Sequence, residues 1–176
     1  MAEHPEFLVA ASETLHQRQQ IAQQQAYVQL ALQYRAELLS SSSPSVGPNE
    51  AKAAVVMFFD YQCSWCSKMA PVVENLIKVN PDTRFIFKEF PIFSSRWPVS
   101  GLAATQLAAV KEAQSSGAVH DALLTNQALA QHMDFSGTPA FVVMPQTQDG
   151  DVKRVTVIPG STTQDMLQMA IQKAKG

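Results

Sequence analysis

The chain has 176 residues, 46% of them hydrophobic and 16% charged, with a formal net charge of −2. These are globular values that allow one packed domain plus an appendage; without a basic block there is no electrostatic footing for nucleic acid or an anionic membrane surface. No apolar run approaches the ~20 residues that span a bilayer, so no membrane insertion is expected.

The amino terminus, Met1-Ala2-Glu3-His4-Pro5-Glu6, lacks the basic-then-apolar order of a secretory leader. That leaves a cytoplasmic protein or one whose leader has been removed, and two cysteines suit either compartment. Residues 5 to about 39 read as one long helix, with no Gly or Pro between Phe7 and Leu39. Leu8, Ala11, Leu15 and Ala22 form one stripe, and Val28, Leu32 and Leu39 a second, broadened by Tyr27, Leu30, Ala31, Tyr34 and Leu38. Eight glutamines between Gln17 and Gln33 make the first half polar. Such a helix must bury its stripe elsewhere, against its own domain or against the same helix of another copy, or else stay a frayed arm. The second is the expectation adopted here: residues 1–39 are an oligomerisation element, with a homo-oligomer formed through residues 5–39. Residues 40–50, rich in Ser, Pro and Gly, read as a linker.

From residue 51 strands and helices alternate. Ala53–Phe59 reads as a buried strand, Ser64–Val79 as a helix with Pro71 inside it, and Arg84–Phe90 as a second strand, a βαβ unit with a right-handed crossover. Pro91–Pro98 reads as a loop. Val99–Ser115 and Ala118–Met133 read as two helices, a short insert at about 99–133. Ala140–Met144 and Val152–Ile158, joined by a polar loop with Asp149-Gly150, read as an antiparallel hairpin. A last helix, Thr162–Lys175, has Ser161 or Thr162 as its N-cap. The fold class is α/β: βαβ, helical insert, then ββα over residues 51–176, preceded by a long helix.

The only two cysteines, Cys63 and Cys66, sit where the first strand hands over to its helix. Residues i and i+3 in a first turn face the same way, within disulfide reach. Unpaired N–H groups and the positive end of the helix dipole favour an anion there, and the thiol pKa should fall from about 8.5 toward ~3.5–7.5. Zinc would need two more ligands, and His120 and His132 are poorly spaced for it. A structural disulfide closing so short a loop restrains little of the unfolded chain. A reversible redox dithiol fits best. In Phe135-Ser136-Gly137-Thr138-Pro139-Ala140, Pro139 suits the first residue of a strand; the Thr138–Pro139 bond is open to trans or to cis, the latter setting residue 138 opposite the dithiol.

Phe58-Phe59-Asp60-Tyr61-x-Cys63-x-x-Cys66, Phe87-Lys88-Glu89-Phe90-Pro91-Ile92 and Gly137-Thr138-Pro139-Ala140-Phe141 resemble the thioredoxin superfamily. More narrowly they resemble its DsbA-type family of periplasmic thiol–disulfide oxidoreductases. A leading helix and linker are similar to the oligomeric members, such as the ScsC-like proteins, and in role to DsbC and DsbG. The resemblance covers roughly residues 50–176. It implies Cys63 as the exposed attacking thiol, Cys66 as the buried resolving thiol, and Thr138-Pro139 as a cis-proline loop that binds substrate. It further implies a bacterial periplasmic location with the leader removed, unfolded or misoxidised proteins as substrates, a membrane redox partner and no cofactor. Family members often carry a buried glutamate six residues before the first cysteine; here that residue is Met57, which leaves proton transfer at Cys66 to water or Glu89, or makes it slower. The short insert should leave less covering surface beside the dithiol.

Ser64-Trp65, between the cysteines, lies where such proteins tune their potential. Neither is acidic, so nothing opposes the Cys63 thiolate, and a potential nearer an oxidant or isomerase than a reductant is expected. Trp65 reads as an exposed contact for unfolded substrate or as packing over the helix end. The activity expected is protein disulfide isomerase if oligomeric, dithiol oxidase otherwise. The alternative is a non-catalytic binding protein, a holdase or a Cu(I) carrier with Met69 as a soft ligand.

Overall fold

The computed structural model describes residues 5–92, 117–147 and 151–176. Helix α1, Pro5–Gln33, is followed after Tyr34 by the single turn α2, Arg35–Leu38. The long helix expected over 5–39 is thus interrupted once, at Tyr34 (φ −99°, ψ 23°). Its two halves behave differently. From Glu6 to Ala26 every residue is exposed, because the glutamine-rich first half has no wide apolar face to bury. Tyr27, Val28, Ala31 and Leu38 instead enter the hydrophobic core of the following domain. Polar tethers add direction: Gln24 Nε2 donates to Val157 O (3.1 Å), and Arg35 Nη2 donates to Pro145 O and Thr147 O (2.7 Å each). Tyr34 stacks on His132 with ring centroids 4.9 Å apart.

The domain is built on a five-stranded sheet. Its strands are β1 (Ser45–Val46), β2 (Ala53–Phe59), β3 (Thr83–Glu89), β4 (Ala140–Pro145) and β5 (Thr156–Ile158), in the order β1-β3-β2-β4-β5. Helix α3, Ser64–Val79, joins the parallel pair β2 and β3; the other pairings are antiparallel. Helices α4 (Gly117–His132) and α5 (Gln164–Lys175) complete the described elements. Strand β2 is central and covered on both sides, so its run of apolar residues is continuous rather than alternating. Ala54, Val56 and Phe58 face α1, α2 and α4, while Val55 and Met57 face α3 and α5. This two-layered cover makes the domain the α/β thioredoxin-like fold.

Residues 40–50, expected as a linker, contribute the edge strand β1. Ser45 and Val46 pair with Ile86 and Phe85, and Phe87 N donates to Pro44 O at 2.9 Å. Gly47 turns the chain off the edge with φ 102°, where a Cβ would run into the Thr83 carbonyl oxygen. The physical reason for the order is on β3. Arg84 and Lys88 are buried there and need acceptors. Arg84 donates to the carbonyls of Leu39 and Ser40, and Lys88 Nζ to Ser43 Oγ at 2.8 Å. Burial first, and then the charge of Arg84, pull the Lys88 pKa down to about 8.

Two boundaries differ from expectation. The last helix starts at Gln164, capped by Thr163, whose Oγ1 accepts from Met166 N; Ser161 and Thr162 precede the cap. Val152–Arg154 forms a 3₁₀ turn, and the strand of the hairpin begins only at Thr156. The helix expected over Val99–Ser115, most of the Pro91–Pro98 loop and the Asp149-Gly150 turn lie outside the described residues.

Candidate active site

At the end of β2 the chain turns sharply around Asp60. This side chain is buried, and both its oxygens are used: Oδ1 accepts from Gln62 N (2.9 Å) and Oδ2 from Ile92 N (2.8 Å). Its backbone carbonyl accepts from Cys63 N at 3.0 Å. Cys63 is the N-cap of α3, in extended conformation (φ −80°, ψ 116°), and Cys66 lies in the helix's first turn. Both are free thiols. Asp60 therefore carries the strand into the helix and sets where the first sulfur stands, a role the sequence reading assigned to no residue.

Across from the helix start, Thr138–Pro139 is a cis peptide leading into β4. Cys63 Sγ donates to Thr138 O at 3.2 Å. Residues 75 positions apart in sequence, Cys63 and Thr138, are thus joined, with Cys66 and Pro139 beside them. Ser64 and Trp65 are exposed between the cysteines; the Trp65 ring carries Lys68 Nζ 4.3 Å from its centroid. Trp65 faces solvent rather than packing over the helix end. Met69 is buried in the core with Val73 and Leu76.

One expectation needs correction. Cys63 was implied as exposed, yet only 4% of its surface is accessible, no more than the 6% of Cys66. The Thr138-Pro139 loop lies against it, and the accessible apolar surface around the dithiol belongs to Tyr61 and Trp65 instead.

The two thiols are pushed in opposite directions. Burial raises the Cys63 thiol, but favourable hydrogen bonds to its thiolate from the Thr138 side chain, the Cys66 backbone and thiol, and the Trp65 backbone outweigh it and hold the pKa below the ordinary thiol value. Burial dominates at Cys66 and pushes it up to about 11. The Thr138 hydroxyl favours both thiolates. It is itself buried, and among the described residues it has no hydrogen-bond partner, which leaves its donor available to a thiolate. Replacing Thr138 by valine is expected to raise the Cys63 pKa, so that alkylation at pH 6–7 slows about three- to tenfold while the rate at high pH is unchanged. Iodoacetamide trapping across a pH series checks this; a superimposable profile would refute it.

Glu89 at the end of β3 also enters the picture, half-buried, its pKa raised by burial and then by the charge of Asp60. The sequence placed Glu89 near a strand end; the register that brings it beside the dithiol is tertiary.

A family model described as a DSBA-like thioredoxin domain matches residues 54–106. The chain is 77% identical to BcfH of Salmonella enterica Typhimurium, whose crystal structure superposes with a TM-score of 0.86 over 99% of this chain and 91% of that one. It is 20% identical to the catalytic domain of Proteus mirabilis ScsC, with a TM-score of 0.64 over 84% of this chain and 98% of that domain, a likeness of fold. It also matches a curated relative, Na(+)/H(+) antiporter NhaA 3 of Salinispora tropica, at 30% identity over 81 residues, 46% of this chain and 12% of that protein. The chain spans only 12–14% of the length of the curated relatives it matches.

Proposed function

The chain belongs to the DsbA-like thioredoxin-domain family, and from that premise we propose that it is a protein thiol–disulfide oxidoreductase that reshuffles disulfides in unfolded or misoxidised proteins of the bacterial periplasm. The observation that carries this is the split dithiol: Cys63 favoured as thiolate at the N-cap of α3, Cys66 kept protonated one turn on, and Thr138 O 3.2 Å from the first sulfur.

The chemistry follows from that arrangement. Once Cys63 is ionised, its sulfur no longer donates to Thr138 O, and that carbonyl is left facing an approaching substrate backbone. The thiolate attacks a substrate disulfide, forming a Cys63 mixed disulfide and releasing the other substrate sulfur as thiolate. An extended segment can then pair with the backbone at Thr138, while Tyr61 and Trp65 offer apolar contact. Either a substrate thiolate resolves the mixed disulfide, which is isomerisation, or Cys66 does, which leaves the substrate reduced. The reverse direction oxidises a substrate dithiol, and a membrane redox partner would then restore the enzyme.

Isomerisation over simple oxidation is favoured by the free half of α1. Phe7, Leu8, Val9, Leu15 and Ile21 are all more than half exposed there. Scattered along about 20 residues of exposed helix, they suit contact with a second copy of the same helix, and a homo-oligomer would set several dithiols around one substrate at high effective concentration. No helix among the described residues is long and apolar enough to cross a membrane.

The test compares the full chain with residues 23–176, which keep the docked half of α1. The truncated protein is expected to be a monomer by light scattering and to oxidise dithiols normally, yet to reactivate scrambled ribonuclease at least fivefold more slowly per active site. Equal reactivation rates would rule out the isomerase reading.

A further inference from the structure

Behind the dithiol lies a cavity of about 820 Å³ between α3, α4 and the ends of β2 and β3. Its lining is mostly apolar, Met57 included. The titratable groups that face it are Cys66 and Glu74 from α3, Asp60 and Tyr61 from the turn, and Glu89 from β3; the described residues that α4 contributes are uncharged.

The three carboxylates differ in what they are free to do. Both oxygens of Asp60 are engaged by backbone N–H groups. Glu74 is exposed on the outer part of α3. Glu89 is half-buried, and among the described residues its carboxylate has no hydrogen bond and no ion pair. The sheet register explains its aim. Glu89 pairs with Phe59 across the parallel β2–β3 ladder, on the same face as Phe85 and Phe87, toward the helix that carries Cys66. A half-buried carboxylate that has no partner among the described residues and shares a cavity with a buried thiol is out of place as a stabilising element.

Cys66 has need of such a group. With its thiol at about 11, roughly one molecule in ten thousand carries the thiolate at pH 7. Water in a cavity of this size can bridge the two groups, since it is far larger than the ~30 Å³ of one water molecule.

We propose that Glu89 is the proton-exchange group for Cys66, acting through solvent in this cavity. It rests on the exchange activity proposed above. In resolution, Cys66 gives its proton to the Glu89 carboxylate and its sulfur attacks Cys63; the Cys63–Cys66 bond forms, the Cys63–substrate bond breaks, and the substrate leaves as a thiolate. The protein dithiol is oxidised by two electrons and the substrate disulfide is reduced. In the reverse direction a substrate thiolate attacks Cys63, Cys66 leaves, and protonated Glu89 returns the proton. Burial first, and then the charge of the neighbouring Asp60, raise the Glu89 pKa, the direction that eases return of the proton to Cys66.

The experiment uses the reduced full chain and dithiobis-nitrobenzoate in a stopped-flow instrument. The first coloured equivalent reports attack by Cys63, and the second reports resolution by Cys66. Glu89→Gln is expected to leave the first phase unchanged and to slow the second about ten- to a hundredfold at pH 7. In the wild type the second phase should rise as Glu89 ionises and then level off. In Glu89→Gln it should climb about tenfold per pH unit toward pH 9, following the Cys66 thiolate, and Glu89→Asp should restore the plateau in part. A second phase with unchanged rate and pH profile in Glu89→Gln overturns the assignment alone. Absence of even the first phase in the wild type overturns the exchange reading and this assignment with it. Should Glu89→Gln fail to fold, a wild-type second phase that still climbs tenfold per unit through pH 9 overturns it.

Discussion

Replacing Cys63 by serine is expected to reduce disulfide exchange to the rate of buffer alone, with thermal melting shifted by no more than a few degrees. An alkoxide is neither available at neutral pH nor a sulfur electrophile, so the covalent intermediate cannot form. The fold should survive because Cys63 contributes little to either core layer; its neighbours are the Thr138 carbonyl and the start of α3. Serine is also a good N-cap. Cys66→Ser should behave differently: the Cys63 thiolate still attacks, the mixed disulfide is not resolved from within, and a one-to-one covalent adduct with a substrate protein accumulates on a non-reducing gel. Insulin reduction and adduct trapping are the two readouts. Full exchange activity in Cys63→Ser would end the assignment of Cys63 as the attacking thiol; loss of exchange with aggregation suppression intact would support an additional holdase role. The absence of any adduct with Cys66→Ser would show that Cys63, buried beneath the Thr138-Pro139 loop, does not reach substrate disulfides.

The second large effect is on stability. Removing residues 1–39 is expected to destabilise the domain severely, whereas removing residues 1–22 should not. Tyr27, Val28 and Leu38 are buried against Phe58, Ile86 and Val157, and Ala31 is fully enclosed with them. Three large side chains at about 1.5–3 kcal/mol each represent roughly 4–9 kcal/mol of burial, against a total stability of about 5–15 kcal/mol for a domain. The cut at residue 39 also removes Arg35 and with it the donors to Pro145 O and Thr147 O. The chain 40–176 should therefore melt more than about 10 °C below the chain 23–176, or aggregate on expression. Differential scanning calorimetry on the two truncations decides it. Equal melting temperatures would mean that the docked half of α1 is held only loosely.

This division of the leading helix bears on how oligomerisation would work. The free half, exposed from Glu6 to Ala26, is about 30 Å long at 1.5 Å per residue. It continues directly into turns that are anchored by core burial, by the Gln24 tether and by the Tyr34–His132 stack. Residues 40–50 are likewise clasped by Arg84 and Lys88. A helix so anchored would hold each dithiol at a defined distance from a shared axis rather than on a loose tether.

What could be read without coordinates were the features that depend on local chemistry. The Ala53–Phe59 strand, the Ser64–Val79 helix and the Cys63-x-x-Cys66 junction follow from apolar periodicity and from where an N-cap must fall. The Thr138-Pro139 segment was legible as a strand start, because a proline is tolerated there. What tertiary structure alone decided were the long-range partners. The same apolar stripe, Tyr27 to Leu38, serves equally well against a sister helix or against a sheet, and only the packing of Phe58, Ile86 and Val157 beneath it selects the sheet. Serine-rich residues 40–50 became an edge strand because two buried cations on β3 needed acceptors, and periodicity does not register a need that lies forty residues away. The burial of Cys63 and, among the described residues, the lack of a hydrogen-bond partner for the Thr138 hydroxyl and the Glu89 carboxylate are likewise products of register and of loop approach; the resemblance named Glu89 and Thr138 beside the dithiol, and only the packing shows what they are free to bind.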